Sequence, residues 1–282
     1  MGQGLHLLTP LTKNVRMILE PVRESDIKSL HELQPADWPD IVPTFKFYTS
    51  SSFCFPIKIR SDNIITGIGA GIKLGDTGWL AHIIVRAEQR NKGIGSAIVD
   101  YLVDRLKEVG CGSISLIATD LGYPVYKKFG FIDQTDYVFF GRNEPLKDKC
   151  LSENIVPYSS IFAEEIFSLD QTISGETRRE LLSDKLDDSY VYRKNGKING
   201  VYCPDLGEGL IVANDPDDGI ELMKLRSSRM NKCVLPVDNK VAISFLTQNG
   251  FSEYRRAKRM ISGKEFKWQA DKMFNRIAGN VG

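Results

Sequence analysis

The stretch that decides the fold is Val85-Arg86-Ala87-Glu88-Gln89-Arg90-Asn91-Lys92-Gly93-Ile94-Gly95-Ser96. It follows an apolar run typical of a strand and precedes a segment with helical periodicity. Glycines at 93 and 95 allow the backbone to approach a ligand closely, and the free N–H groups of a helix's first turn attract anions. Arg90 and Lys92 can add charge-assisted contacts to a pyrophosphate. The stretch therefore predicts an anion site at the start of a helix.

Two common nucleotide motifs do not occur in the sequence. There is no Gly-x-x-x-x-Gly-Lys-Ser/Thr, and strand-like residues rather than a helix follow the glycine-rich run at 67–71. We interpret those glycines as packing or bulge positions in a strand. Taken alone, residues 90–96 could also be an ordinary helix start with surface cations.

The wider context resembles the GNAT superfamily of N-acetyltransferases. Their signature, [Gln/Arg]-x-x-Gly-x-[Gly/Ala] after a central strand, is matched in full by residues 90–95. A second element typical of the family, Tyr-x-x-x-Gly-Phe, follows a further strand and spans residues 126–131. Two elements in this order and spacing are specific, and the resemblance covers roughly residues 15–142.

The composition is that of a globular protein able to bury sizeable cores: 282 residues, 42% hydrophobic and 26% charged. A net charge of +1 favours neither nucleic acid nor an anionic membrane as a partner. The five cysteines and three histidines show no zinc or disulfide spacing, so we expect reduced thiols, no metal and a cytoplasmic location.

The resemblance implies an α/β fold with a mixed sheet and helices on both faces, and apolar runs and turn residues predict its elements. Strands over 53–60, 64–73 and 78–85 are joined by turns and suggest an antiparallel meander. The other elements expected in this part are strands over 15–22, 113–118 and 132–140, helices over 24–33 and 92–109, and a short helix ending near 131.

The second half of the chain partly repeats the first. Residues 231–239 resemble 111–119, and 245–251 resemble 125–131, both at an offset of 120. This offset indicates an internal repeat. The domains expected are an irregular leader (1–14), a catalytic GNAT domain (15–143), a linker (144–152), a degenerate GNAT-like domain (153–262) and a C-terminal tail (263–282), which we expect to dock as a final helix or strand.

The second copy is called degenerate because it lacks the residues that the chemistry needs. Three aspartates at 215–218 stand where the cationic glycine loop would be and would repel a pyrophosphate. Leu246 stands in place of Tyr126. Residues 169–182 resemble the second domain of tandem-GNAT proteins of the YitH type. The expected architecture is two tandem acyl-CoA N-acyltransferase folds, the second without a coenzyme site.

The resemblance implies that acetyl-CoA is the acetyl donor and binds along the central strand and the helix start. In the family the pantetheine arm lies beside that strand, and Asn often stands where this chain has Thr119, which puts that contact in doubt. The residues implied for coenzyme binding are Ile83, Ile84, Val85, Arg90, Asn91, Lys92, Gly93, Ile94, Gly95, Ser96 and Thr119.

Tyr126 is the candidate general acid, because a phenol within hydrogen-bond reach can protonate the departing thiolate; Tyr123 is the fallback. His82 on the central strand is the candidate base, with Glu88 or a relayed water as alternatives. If Ile83 and Val85 share one face of the strand, His82 lies on the other. The sequence leaves open whether that face meets the acceptor.

The aromatic segment 37–48 falls where family members place the loop that lines the acceptor pocket. Trp38, Asp40 and Phe45, together with Asp37, could bind an amine through ring faces and carboxylates. The alternative is a hydrophobic core under a surface loop.

The resemblance thus implies direct transfer of an acetyl group to a primary amine, on either a small molecule or a protein, by a monomer or homodimer. The alternative is a non-catalytic coenzyme A sensor, or a protein-interaction scaffold built on a GNAT pair.

Overall fold

The computed structural model describes residues 6–7, 17–36, 38–61, 63–147 and 151–282, with the backbone alone for 6–7. The chain divides into two compact units, Met1–Ile132 and Asp133–Gly282. In the described part of the chain, no helix is long and apolar enough to cross a membrane.

The first unit is built on a mixed sheet whose strands lie side by side in chain order. Its described strands are β1 (His6–Leu7), β2 (Met17–Pro21), β3 (Cys54–Ser61), β4 (Ile64–Leu74), β5 (Thr77–Val85) and β6 (Ser113–Ala118). Neighbours from β1 to β5 pair antiparallel, and β6 runs parallel to β5. The predicted meander and mixed sheet are confirmed.

The helices on this sheet are a 3-10 helix (Glu24–Leu33), α1 (Val42–Ser50), α2 (Ile94–Glu108) and α3 (Tyr123–Lys128). Three of them lie close to their predicted positions, while α1 lies mostly in the aromatic segment 37–48, for which no helix was predicted. The 3-10 helix buries Ile27, Leu30 and Leu33, the apolar residues that predicted a helix there. Proline in the first turn of α1 is tolerated because that position needs no N–H donor.

Helix α2 lies close to β4 because glycines face it. A Cβ built on Gly67 would lie 2.7 Å from Ile94 Cγ2, and one on Gly69 would lie 2.6 Å from Ile98 Cγ2. Both distances are shorter than side chains tolerate, so these glycines are needed for the close approach of helix and strand. The interpretation of the 67–71 run as packing positions is confirmed.

Strands β5 and β6 pair only at their beginnings. Thr77–Trp79 pair with Ser113–Ser115 in parallel register, and no pairing between the two strands follows in the described register. Their carboxyl ends therefore diverge beside the N-terminus of α2.

The second unit holds two groups of strands. They are formed from β7 (Ile132–Gly141), β8 (Ile155–Pro157), β9 (Tyr190–Lys194), β10 (Lys197–Cys203), β11 (Leu210–Ala213), β12 (Lys232–Pro236), β13 (Ser252–Gly263) and β14 (Met273–Asn275). One group has the order β13-β7-β12 and the other the order β14-β11-β10-β9-β8.

The second unit also contains α4 (Ala163–Ser174), α5 (Arg179–Leu182), α6 (Pro216–Ser227) and α7 (Lys240–Gln248). From β8 to β13 it runs strand, two helices, three strands, helix, strand, helix, strand, if the short 3-10 turns are left aside. The preceding part of the chain has the same order from β2 to β7, with the long 3-10 helix (Glu24–Leu33) as its first helix.

The predicted domain limits and the compact units differ at one strand. We assigned residues 132–140 to the first domain, but β7 pairs with β12, from Tyr137↔Pro236 to Gly141↔Lys232, so the division falls at Ile132. Leu146 of the predicted linker is buried in the core of the second unit; residues 148–150 lie outside the described part. The domain limits stay a prediction.

The two ends of the chain add strands. His6–Leu7 pair with β2, so the irregular leader predicted over 1–14 is wrong at these two residues, and the rest of it lies outside the described part. The tail docks as β14 against β11, as predicted for a final strand.

The glycine contact with α2 can be tested by substitution. Gly69→Ala places a methyl group against Ile98 and Ile83, and we expect it to lower the free energy of unfolding by about 1–3 kcal/mol through overpacking. Gly95→Ala is the control, because its Cβ would meet Val85 at an ordinary 3.6 Å. Urea unfolding measures both; equal stabilities would show that α2 does not need the glycines.

Candidate active site

The N-terminus of α2 lacks a side-chain cap. Gly93 is the N-cap residue with φ 80°, a left-handed conformation that glycine adopts without strain. No side chain caps the helix, and its first turn contains no acidic residue. The first-turn N–H groups, which a cap would otherwise satisfy, are thus left for solvent or a ligand.

The turn before the helix carries cations where a helix favours anions. Arg90 and Lys92 are exposed; Arg90 Nε donates to the Val85 carbonyl at 3.2 Å, and Lys92 Nζ contacts Gln89 Oε1 at 3.0 Å. Asn91 also has a left-handed backbone, with φ 61°. Positive side chains at the positive end of a helix are unfavourable by themselves, so a bound anion would relieve this arrangement.

Glu88, the alternative base, is engaged elsewhere. Its carboxylate lies 3.7 Å from Arg86 Nη1, and Arg86 also binds Glu32 at 2.8 Å. Hydrogen bonding and attraction by Arg86 lower the pKa of the Glu32 carboxyl. This pair joins the 3-10 helix to the end of β5, which carries the turn.

Strand β5 bulges at His82. Ile68 pairs with Ile84 and Ala70 with Ala81, so Gly69 opposes two residues, His82 and Ile83. His82 has φ 50°, a left-handed conformation that costs free energy for a non-glycine residue. Such bulges are frequent beside active sites, where they redirect a side chain.

At the bulge, neighbouring side chains lie on opposite faces of the strand. Ile83 Cδ1 would lie 2.9 Å from a Cβ on Gly69, and Val85 Cγ2 lies 3.6 Å from one on Gly95, so both side chains face α2. His82 lies on the other face, as the alternation predicted.

The face of His82 is the one that carries the aromatic segment. Its ring centroid lies 5.8 Å from those of Trp38 and Phe45 and 5.7 Å from that of Tyr48. Tyr48 Oη is hydrogen-bonded to Nδ1 at 2.9 Å. Burial among these rings lowers the pKa of His82 from 6.5 to about 4, so the imidazole is neutral near pH 7.

The proposed acceptor residues have different environments. Trp38 is partly exposed, but Phe45 is fully buried. The ring of Phe45 packs against that of His82. Asp40 Oδ1 accepts a hydrogen bond from the Val42 amide at 2.9 Å and so holds the start of α1. Asp37 lies outside the described residues.

Gln34 fixes the loop that carries Trp38, because its amide binds the Trp38 carbonyl at 3.2 Å and the Ile41 N–H at 3.1 Å. An open groove of about 650 Å³ lies beside this loop. It is lined by Lys28, His31, Gln34, Pro35, Ala36, Asp40 and Val42.

Tyr126 lies on α3 against the core. It is 7% exposed and its ring packs edge-on against Phe131, with a centroid distance of 6.0 Å. Gly122 leaves room for the ring, since a Cβ there would lie 2.7 Å from Tyr126 Cε2. Burial raises the pKa of the phenol, so Tyr126 stays protonated over the physiological range.

Thr119 serves the turn into α3. Its Oγ1 accepts a hydrogen bond from the Gly122 amide at 3.2 Å, and its carbonyl accepts from the Gly122 and Tyr123 amides. The hydroxyl thus shapes the turn that positions Tyr126, while its expected contact with a coenzyme stays a prediction.

The sequence missed Tyr48 and Gln34 as parts of this site. Tyr48 is the last residue of the aromatic segment 37–48, and nothing in the sequence distinguishes it from the other aromatic residues there. The hydrogen bond that joins it to His82 spans 34 residues, and no local pattern reports such a distance.

Comparison with known proteins agrees with the fold. Residues 19–131 match the model of the Acetyltransferase (GNAT) family. No curated protein matches the sequence. The structure is similar to that of a proposed acetyltransferase from Pyrococcus horikoshii, with a TM-score of 0.80, 19% identity, and coverage of 94% of this chain and 96% of that one.

Two further solved structures resemble the chain over most of its length. One is a GCN5-related N-acetyltransferase from Sphaerobacter thermophilus, with a TM-score of 0.61, 11% identity, and coverage of 89% of this chain and 97% of that one. The other is a tandem GNAT protein of the clavulanic acid biosynthesis pathway, with a TM-score of 0.58, 13% identity, and coverage of 88% and 98%. At these identities the likeness shows the fold, and the mixed α/β GNAT fold is thereby confirmed.

The buried imidazole predicts a pH dependence of stability. Because the pKa of His82 falls from 6.5 to about 4 on folding, the folded protein binds fewer protons than the unfolded chain between these values. The contribution of the neutral imidazole to the free energy of unfolding is complete above pH 6.5 and is lost as the pH falls through about 4. The change is about 3 kcal/mol. His82→Asn should lose stability less steeply over this range than the unmodified protein.

Urea unfolding from pH 7 to 4.5 measures this difference. His31→Asn, which removes an exposed histidine, is the control and should follow the unmodified protein. Parallel curves for His82→Asn and the unmodified protein would contradict the burial of a neutral imidazole.

Proposed function

We propose that the chain is an N-acetyltransferase whose first unit moves an acetyl group from acetyl-CoA to a primary amine. The observation that carries the proposal is the uncapped, cationic start of α2 beside the diverging ends of β5 and β6. In this proposal residues 15–143 are the catalytic domain, residues 153–262 a degenerate copy, and the acceptor a small-molecule or protein amine.

The residues at the start of α2 fit the pyrophosphate of coenzyme A. The first-turn N–H groups of Ile94, Gly95 and Ser96 lie at the positive end of the helix, and Arg90 and Lys92 add charge. The protein's own packing does not require a glycine at 95, where a methyl group would make ordinary contacts. The missing side chain there instead leaves space above the helix start.

The bulged strand fits the arm of the coenzyme. Because His82 and Ile83 together oppose a single residue of β4, the strand departs there from regular pairing and diverges from β6. Backbone groups of residues 83–85 can then bind an extended ligand as an added strand would. When bound, acetyl-CoA supplies an activated thioester.

Tyr126 is the proposed general acid. Its raised pKa keeps the hydroxyl proton in place, and the phenol can donate that proton to the sulfur of the leaving thiolate. Rigid packing between Gly122 and Phe131 holds the ring in one orientation, which a proton donor requires.

His82 is the proposed proton acceptor, directly or through water. The lowered pKa leaves the imidazole neutral, so that one ring nitrogen can accept a hydrogen bond from an amine or a water. The other, Nδ1, is held by Tyr48. A base with a pKa of about 4 is weak, which favours a role in which His82 orients the amine and passes its proton to solvent.

Donor binding can be tested by adding a charge at the helix start. Gly93→Asp should weaken acetyl-CoA binding by at least 100-fold in calorimetric titration, because the carboxylate would repel the pyrophosphate. Gly93→Asn is the matched control, since asparagine also tolerates the left-handed backbone but is uncharged. We expect one site per chain in the unmodified protein. Undiminished binding by Gly93→Asp would place the donor elsewhere.

The general acid can be tested by removing one hydroxyl. Tyr126→Phe should lower kcat by about 100-fold or more while coenzyme A binds with unchanged affinity, using an acceptor found by screening polyamines, amino sugars, amino acids and peptide amines. Tyr123→Phe is the control and should retain turnover. A loss in Tyr123→Phe alone would transfer the role to Tyr123; tight binding with no turnover on any amine would favour the coenzyme A sensor.

A further inference from the structure

The second unit has its own strand, helix and strand in this order, but the space between the two strands is filled. By element order, β11, α6 and β12 correspond to β5, α2 and β6. We propose that the groove between β11 and β12 is a strand-binding site whose ligand is the chain's own C-terminal segment, residues 273–277. The comparison of this groove with the coenzyme cleft of the first unit rests on the proposed function. That residues 273–277 occupy the groove does not depend on it.

Backbone hydrogen bonding joins the segment to both sides of the groove. On one side β14 pairs antiparallel with β11, with Val212 opposite Met273 and Ile211 opposite Asn275. On the other side the Arg276 amide donates to the Val234 carbonyl of β12 at 2.9 Å. The segment therefore stands between two strands that would otherwise be neighbours.

Asn275 is the polar centre of this arrangement. It is completely buried. Its Oδ1 accepts from the Val234 amide at 2.9 Å, and its Nδ2 donates to the carbonyls of Glu208 at 2.9 Å and Gly209 at 2.7 Å. One side chain thus satisfies three backbone groups, which would be costly to leave buried and unpaired.

Phe274 fills the space beside the first turn of α6. A Cβ on Gly219 would lie 2.2 Å from Phe274 Cζ, so the ring lies directly against the helix backbone. Phe274 also belongs to the hydrophobic core of the second unit. An arm of a coenzyme could not enter here without displacing this ring.

The start of α6 has anions of its own. Asp218 is 1% exposed and its Oδ2 accepts from Asn199 Nδ2 at 2.9 Å; Asp215 Oδ2 accepts from the same nitrogen at 3.1 Å. Lys194 Nζ lies 3.5 Å from Asp215 and 3.8 Å from Asp218. Carboxylates thus occupy the positive end of the helix, where a phosphate would bind in the first unit.

The far end of the segment is held by an ion pair. Arg276 binds Glu208 through Nε at 3.0 Å and Nη2 at 2.8 Å. The Glu208 amide donates to the Ile277 carbonyl, so the loop before β11 and the segment bind each other in both directions. The chain's own residues therefore fill both the arm and the phosphate positions of the second unit.

Hydrogen exchange on the full chain tests this occupancy. In the unmodified protein the amides of Val234 and Arg276 should exchange as slowly as those of β10. Asn275→Ala removes the acceptor of the Val234 amide and should speed exchange at both positions by at least tenfold. Gln269→Ala is the control, because it removes one exposed amide contact, to the Thr172 carbonyl, and should leave both rates unchanged.

If Asn275→Ala does not fold, Glu208→Gln provides the same test at the partly exposed ion pair, with a smaller effect at Arg276. Fast exchange at Arg276 in the unmodified protein would overturn the proposal, because the segment would then not be seated.

Saturating acetyl-CoA distinguishes this proposal from the proposed function. Exchange at Val234 and Arg276 should not change when acetyl-CoA is added. An altered rate at these two amides, or two acetyl-CoA molecules bound per chain of which Gly93→Asp removes only one, would make the second groove a coenzyme site and overturn the proposal. Slow exchange at both amides with no acetyl-CoA bound anywhere would support the filled groove and refute the proposed function.

Discussion

The contact between α2 and the glycines of β4 is the constraint on which the site depends. A helix packed at this distance has little freedom to slide, because Ile94 and Ile98 lie where side chains at 67 and 69 would otherwise stand. The start of the helix is therefore fixed beside the carboxyl end of β5. A site that binds an anion through backbone N–H groups needs this kind of placement, since such groups cannot be reoriented one by one.

Gly69 connects this close packing with the bulge in β5. Gly69 is both the residue beneath Ile98 and the one that opposes His82 and Ile83. Ile83 is directed towards α2, and His82 lies on the other face, where the aromatic rings surround it. The strain of a left-handed histidine is balanced by its hydrogen bond to Tyr48 and by ring contacts. The helix that begins at the cationic turn and the aromatic cluster thus lie on opposite faces of one strand.

Much of this fold could be predicted from the sequence because the patterns that indicate its elements are local. The bounds of β6 and the helix start near residue 93 follow from short apolar runs and glycines. Other features depend on distant contacts that leave no local pattern. The pairing of β7 with β12 sets the limit between the units at Ile132, and the bond between Tyr48 and His82 crosses 34 residues. Asp40 is an amine ligand by residue type, and the sequence did not indicate that its carboxylate also accepts a hydrogen bond from the amide of Val42, the first residue of α1.

The two helix starts show why fold and function must be argued separately. Helices α2 and α6 follow corresponding strands and neither has a side-chain cap. At α2 the turn combines glycines with cations, and the strands beside it diverge. At α6 the turn carries aspartates, and a phenylalanine from the tail lies on the helix backbone. A pyrophosphate would meet attraction at the first and repulsion and steric exclusion at the second. Whether such a helix start suits a coenzyme therefore depends on a few turn residues and on the position of residues 273–277. The order of the elements around the two helix starts is the same.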